Sequence, residues 1–149
     1  MIRRAENNRD FDSIHRLILE LAEYEKAPYE VVTGPETLME HCGGSKPLAF
    51  AWVLENTENR VVGAAICYIR YSTWKGPVFY LEDLIVEEAF RNQGFGKQLL
   101  DAVIEFAKSQ KFKRVVWQVL DWNQPAIEFY KKYSVSFDDS WINVTLDLE

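Results

Sequence analysis

Ile14, Leu17, Ile18 and Leu21 recur three and four residues apart, which lays one apolar stripe along a helix. Asp10 or Asp12 would cap it, and Ala27-Pro28 would end it after Lys26. Thr33-Gly34-Pro35 opens a second, shorter helix toward Cys42, and Gly43-Gly44 stops it. The pattern then changes from helical spacing to short apolar runs. "LAFAWVL" (48–54) and "RVVGAAICYIRY" (60–71) read as two strands of a hairpin around the turn "NTEN". "STWKGP" is a further turn, and "VFYLEDLIVEE" is a third strand with acids inside it. A helical run follows over about 94–110, then the strand "RVVWQVLD". Asn123 would cap a last helix toward Tyr133, with Pro125 in its first turn. "WINVTLDL" reads as a closing strand, and Met1 to Ala5 as a short first one.

The predicted order is β-α-α-β-β-β-α-β-α-β. Hairpin-linked middle strands are antiparallel, while strands joined through helices are parallel neighbours. The expectation is therefore an α/β (α+β) fold with a mixed sheet. No repeat, linker or low-complexity stretch interrupts it, so residues 1–149 are expected to form a single domain.

Composition narrows the function more than the fold. Hydrophobic residues make up 48 % of the 149, enough for a real core and too many for a disordered chain. A net charge of −6 lacks the basic stripe that nucleic-acid binding needs. Cys42 and Cys67 fit no zinc spacing and are too few for a disulfide scaffold, and only His15 and His41 join them. No metal is expected, and the thiols suit a cytoplasmic protein. No apolar run approaches the ~20 residues of a membrane span, and no secretory leader pattern is present.

The stretch "RNQGFG" (91–96) carries the chemistry. A glycine-rich loop feeding a helix leaves backbone N–H groups free, and the helix dipole adds positive charge at that end. Phosphates are the common guests of such a site. Gly94 and Gly96 allow close approach, and Arg91 can add a charge-assisted bond. Three phosphate-loop patterns compete. The P-loop fails, because Gly96-Lys97 is followed by Gln98 and Arg91 stands at the first glycine position. The dinucleotide fingerprint fails at Leu99, where a third glycine belongs. "RNQGFG" fits the third, [RQ]-x-x-G-x-[GA] after a strand, the loop for the coenzyme A pyrophosphate. A plain glycine turn at the start of an ordinary helix remains the competing reading.

The strand–loop–helix order followed by "VLDWNQPAIEFYKKY" resembles the GNAT superfamily of acetyl-CoA-dependent N-acetyltransferases. Within it, "ELAEYEK", "YSTWKG", "YLEDLIV", "RNQGFGKQLL" and "LDWNQPAIEFYKK" resemble the spermidine/spermine (diamine) branch and its thialysine-acetylating relatives. The resemblance implies that Arg91, Asn92, Gln93, Gly94, Phe95 and Gly96 hold the pyrophosphate. It implies that the backbone of Leu84 and Val86 pairs with the pantetheine arm like an added strand, and that Asn123 contacts that arm. Tyr130 matches the catalytic tyrosine and Glu82 a glutamate working through water. Tyr24, Glu25, Trp74 and Trp141 match positions lining the amine cleft. The resemblance also implies a homodimer whose clefts borrow residues from the partner.

The reaction has uses for such groups. An alkyl ammonium, with a pKa near ~10, must lose a proton before it attacks a thioester, and a nearby acid can accept it. The leaving thiolate, whose thiol has a pKa near ~8.5, can take a proton from a tyrosine hydroxyl. Glu82 and Asp83 are adjacent, so strand alternation sends them to opposite faces, and alternation alone does not choose between them. Tyr130 is in helical register with Ala126 and Ile127, as a core tyrosine would be. Asn123 reads equally as a helix cap, and Glu25 as part of a solvated helix face.

Two positions depart from the family. Ser134 stands where the family has glycine after the catalytic helix, and a left-handed residue there would be strained by about 1 kcal/mol. Ser72 stands where polyamine enzymes carry an acid before the Trp74 turn, which favours a diamine or lysine-like side chain over a long polycation. The implied activity is transfer of acetyl from acetyl-CoA to the primary amine of a small polyamine, diamine or lysine-like substrate by direct attack in a ternary complex. The alternatives are a protein lysine or N-terminal acetyltransferase, and a non-catalytic acyl-CoA-binding module.

Overall fold

Backbone pairing organises the chain around one sheet. The computed structural model describes residues 1–149. Five strands lie in sequence order: β1 (Ile2–Arg4), β2 (Phe50–Glu55), β3 (Val61–Ser72), β4 (Gly76–Val86) and β5 (Val115–Val116). The first four pair antiparallel and β5 runs parallel to β4. The helices are α1 (Asn8–Tyr24), α2 (Pro35–Cys42), α3 (Phe95–Ser109) and α4 (Gln124–Tyr130), with a 3₁₀ turn at Glu88–Phe90. The fold is the expected mixed α/β arrangement. Residues 1–118, which contain the whole sheet, and residues 119–149 form two compact units.

Alternation along the strands sorts the core into two layers. Ala51, Val53, Ala64, Ile66 and Ile85 meet Phe11, Ile14 and Leu17 of α1 on one face. Their neighbours point the other way, where Phe50, Trp52 and Phe79 meet Phe106 of α3 with ring centroids 5.1–6.5 Å apart. Phe79 is fully buried there, and truncating such a ring costs about 3–5 kcal/mol. Gly63 allows α3 to pack closely, since a Cβ there would meet Leu99 Cδ1 at 3.0 Å and the Ile85 carbonyl oxygen at 3.1 Å.

Three sequence expectations change. The cap of α1 is Asn7, whose side chain accepts the Asp10 N–H at 3.1 Å, rather than Asp10 or Asp12. Asp10 is taken by a different partner: Arg3 of β1 donates to both its carboxylate oxygens, at 2.8 and 2.9 Å. The strand expected over 114–121 shortens to Val115–Val116, because β5 accompanies β4 only at Phe79 and Tyr80. The closing strand expected over 141–148 is not among the elements, so the order ends at α4. A strand exists only by pairing, and residues 119–149 contain no second strand to pair with. No helix is long and apolar enough to cross a membrane.

Candidate active site

β4 brings the two acids into the sheet, and its irregularity decides how they stand. Asp83 lies opposite Ile66 of β3 and Leu81 lies opposite Cys67, so Glu82 is an extra residue with no partner across the ladder. Such a bulge interrupts the two-residue alternation and re-aims side chains. The opposite-face argument from the sequence therefore does not hold at this point of the strand. Glu82 is exposed and Asp83 is half-buried. Burial pushes the Asp83 carboxyl up to about 6, with the Glu82 and Glu25 charges adding to the shift. Burial raises the Glu25 carboxyl as well. Glu82 also helps raise the hydroxyls of Tyr68 and Tyr80, after burial, and these rings lie 4.9 Å apart. Residues 25, 82 and 83 thus form one electrostatic neighbourhood of carboxylates.

The loop 91–96 follows β4 through the 3₁₀ turn. Asn92 and Gly94 both adopt left-handed backbone, at φ 61° and 81°. Left-handed residues in a short loop turn successive N–H groups into an anion-binding concavity. The first intrahelical bond of α3 runs from Gln98 N to the Gly94 carbonyl, so the N–H groups of Phe95, Gly96 and Lys97 have no acceptor within the helix. Nothing lies within 4 Å of where a Gly94 Cβ would stand. Such an arrangement is able to receive an anion. Beyond Tyr80 no strand pairs with the β5 side of β4, so Leu84 and Val86 lie on a stretch of strand bonded to β3 alone.

Arg91 is held from several sides. Its Nε donates to the Val86 carbonyl at 3.0 Å, its Nη2 lies 3.6 Å from Glu20 Oε1, and its guanidinium sits 5.3 Å over the Tyr24 ring. Glu20 escaped the sequence reading. Its position four residues before Tyr24 was the available signal, since that spacing puts both on one helix face. Gln93 donates weakly, at 3.4 Å, to the Ala89 carbonyl.

The residues of the first unit that the resemblance assigns to the amine cleft fall at two places. Tyr24 ends α1 and Glu25 caps it. Trp74 is 86 % exposed at the tip of the β3–β4 hairpin. Ser72 accepts the N–H groups of Trp74 and Lys75 at 3.2 and 3.1 Å, so it builds the turn that presents Trp74.

In the second unit, Asn123 caps α4, accepting the Ala126 N–H at 3.4 Å, as the sequence predicts. Tyr130 is buried at the end of α4, its ring 5.3 Å from Phe129. The helix ends through Lys131 in ordinary right-handed backbone. Ser134 is not left-handed, so the strain expected for it does not arise. Trp141 lies in a stretch without helix or strand. No group of three or more His, Cys, Asp or Glu side chains is arranged to hold a metal.

Comparisons with known proteins agree with this geometry. Residues 12–134 match the model of the acetyltransferase (GNAT) family. The chain is 38 % identical to a thialysine N-epsilon-acetyltransferase of Bos taurus, covering 88 % of this chain and 81 % of that one. It is 31 % identical to the Caenorhabditis elegans enzyme of the same name, covering 88 % and 82 %. Among solved structures, an aminoglycoside acetyltransferase from an uncultured soil metagenomic sample superposes with a TM-score of 0.78 at 22 % identity, covering 100 % of this chain and 96 % of that one. With its loop, sheet and sequence all of this kind, the chain belongs to the GNAT acetyltransferase family and is an N-acetyltransferase.

Proposed function

We propose that residues 1–149 act as one catalytic domain that moves acetyl from acetyl-CoA to the primary amine of a diamine or lysine-like small molecule. The observation carrying this reading is the loop 91–96, with left-handed Asn92 and Gly94 opening α3 directly after a strand whose outer side is unpaired past Tyr80. Backbone N–H groups of residues 91–96 would bind the pyrophosphate, while Leu84 and Val86 pair with the pantetheine arm and Asn123 contacts it. The amine then attacks the thioester carbon directly. Glu82 accepts its proton through water, and the Tyr130 hydroxyl protonates the leaving thiolate. A backbone N–H of the 84–86 stretch stabilises the oxyanion.

Carboxylates hold an ammonium and aromatic rings cover its stem. Glu25, Tyr24, Trp74 and Trp141 take these parts. Ser72, already used in its turn, supplies no charge for a second distant ammonium. The names of the relatives support the lysine-like end of the range. The working form is a homodimer, and the buried free thiols Cys42 and Cys67 suit the cytoplasm.

A thiol-release assay tests the reading. Acetyl-CoA is offered with spermidine, spermine, putrescine, 1,3-diaminopropane, lysine and thialysine, using wild type, Glu82→Gln and Tyr130→Phe. Turnover on a lysine-like amine or diamine, cut by both substitutions, is the expected result. Preference for spermidine or spermine would overturn the Ser72 argument. Acetyl-CoA binding without turnover on any amine would favour a protein substrate or a binding module.

A further inference from the structure

Glu20 has no part in the site as assigned so far, yet it joins the cofactor loop to the helix that ends at the amine-side residues. Its Oε1 accepts the Glu88 N–H at 2.8 Å and also faces Arg91 Nη2 at 3.6 Å. One helical turn later, Tyr24 places its ring against the same guanidinium. The Val86 carbonyl takes Arg91 Nε. Glu20 therefore grips both ends of the segment 88–91, the link between β4 and the loop. Arg91 is fixed between the last residue of β4 and two residues of α1. The adjoining turn of the same helix is held too: Arg16 donates to Glu87 at 3.0 Å, and Arg60 donates to both Glu87 oxygens at 2.7 and 2.8 Å.

We propose that Glu20 is a positioning residue for acetyl transfer, setting the loop 91–96 relative to the end of α1. Tyr24 touches the loop's arginine, and Glu25 beside it touches the Asp83 field, so one helix end serves both sides of the reaction. Loop placement and amine placement are therefore coupled through α1. The proposal rests on reading 91–96 as the coenzyme A loop and Tyr24 and Glu25 as amine-side residues.

The test uses the full chain as wild type, Glu20→Ala, Glu20→Gln, Arg91→Ala and the Glu20→Ala/Arg91→Ala pair. Three quantities are measured: backbone hydrogen exchange of residues 88–96 without ligand, acetyl-CoA affinity by calorimetry, and steady-state kinetics for both substrates. Glu20→Ala is expected to speed exchange in 88–96 and to weaken acetyl-CoA about fivefold, the size expected for a half-exposed ion pair plus a neighbouring bond. It should raise the amine KM with a smaller effect on kcat. Glu20→Gln keeps an acceptor for the Glu88 N–H and should recover part of each loss. Arg91→Ala should add little once Glu20 is gone. Unchanged exchange and affinity in Glu20→Ala, or fully additive effects with Arg91→Ala, would overturn the proposal. Failure of the wild type to bind acetyl-CoA would instead overturn the reading of the loop, while the exchange data still decide whether Glu20 holds it.

Discussion

Glu25, which caps α1, stands close enough to Asp83 on β4 for its charge to help raise that carboxyl. Burial is the larger cause and Glu82 the next, and together they bring Asp83 up to about 6. An acid with a higher pKa folded than unfolded favours folding while protonated. That contribution is present below the unfolded value and is lost as pH rises through about 6. Asp83→Asn stays neutral at every pH. It should therefore be more stable than wild type above pH 7, by roughly 1–3 kcal/mol, with the gap closing by about pH 4. Urea denaturation at the two pH values measures this. The function should move the opposite way. If Asp83, beside Glu25, also helps hold a cationic amine, it does so as the carboxylate, so wild-type amine affinity should rise through about pH 6 and the variant's should stay low and flat. A variant with the wild-type pH profile would mean that Asp83 takes no part in holding the amine.

Glu82 is the residue of the β4 bulge with no partner across the ladder. It is exposed, and its amide isostere should fold normally. If Glu82 accepts the proton of the attacking amine, Glu82→Gln should lower kcat by about a hundredfold, the scale of general-base catalysis. The acetyl-CoA KM should stay within about twofold, since the loop lies elsewhere. An acetyl-CoA KM that rises while kcat holds would make Glu82 a binding residue instead.

Gly94 separates backbone strain from ligand approach. Its φ of 81° disfavours a side chain, yet nothing lies within 4 Å of the added Cβ. Gly94→Ala should therefore cost about 1–2 kcal/mol of stability, from conformation alone. If the loop holds the pyrophosphate, a Cβ on Gly94 should also hinder its approach to the loop's N–H groups. The expected result is an acetyl-CoA affinity reduced about tenfold or more, read by calorimetry at a temperature where the variant is folded. Affinity unchanged at normal folding would place the pyrophosphate elsewhere.

Much of this architecture was legible in the spacing of apolar residues. The stripe of α1, the Thr33-Gly34-Pro35 start of α2, the hairpin strands and the Asn123 cap all follow from local chemistry, and each was found where that chemistry put it. What stayed hidden depends on partners distant in sequence. Asp10 looks like a cap until Arg3 is brought beside it by β1. The 114–121 run looks like a long strand until β4 leaves it after Tyr80. Strict alternation separates Glu82 from Asp83, and only the pairing of Ile66 and Cys67 reveals the bulge between them. The loop residues were named from a motif, but Glu20, though it opens "ELAEYEK", lies 71 positions before Arg91, and nothing in that stretch signals their pairing. Charge pairing across that distance has no periodic signature.

Asp10 offers the strongest stability test. It is 1 % exposed and accepts two bonds from Arg3 and one from the Glu6 N–H at 2.9 Å. The Arg3 bonds hold its carboxyl below the usual carboxylate range, against the opposing effect of burial. Asp10→Ala leaves a half-buried guanidinium with Glu55 as its remaining carboxylate partner, at 2.6 Å. Breaking one side of a buried pair costs about 3–5 kcal/mol, and the surviving Glu55 bond should bring the loss to the lower end. The pH dependence has the opposite sign to that of Asp83. A depressed folded pKa contributes stability above the unfolded value and loses it as pH falls through the folded one. Wild type should thus lose stability on acidification that Asp10→Ala has already lost, so the two unfolding curves should converge at low pH. Parallel curves down to about pH 2 would mean that Asp10 acts through packing alone and that its ion pair with Arg3 contributes nothing to the fold.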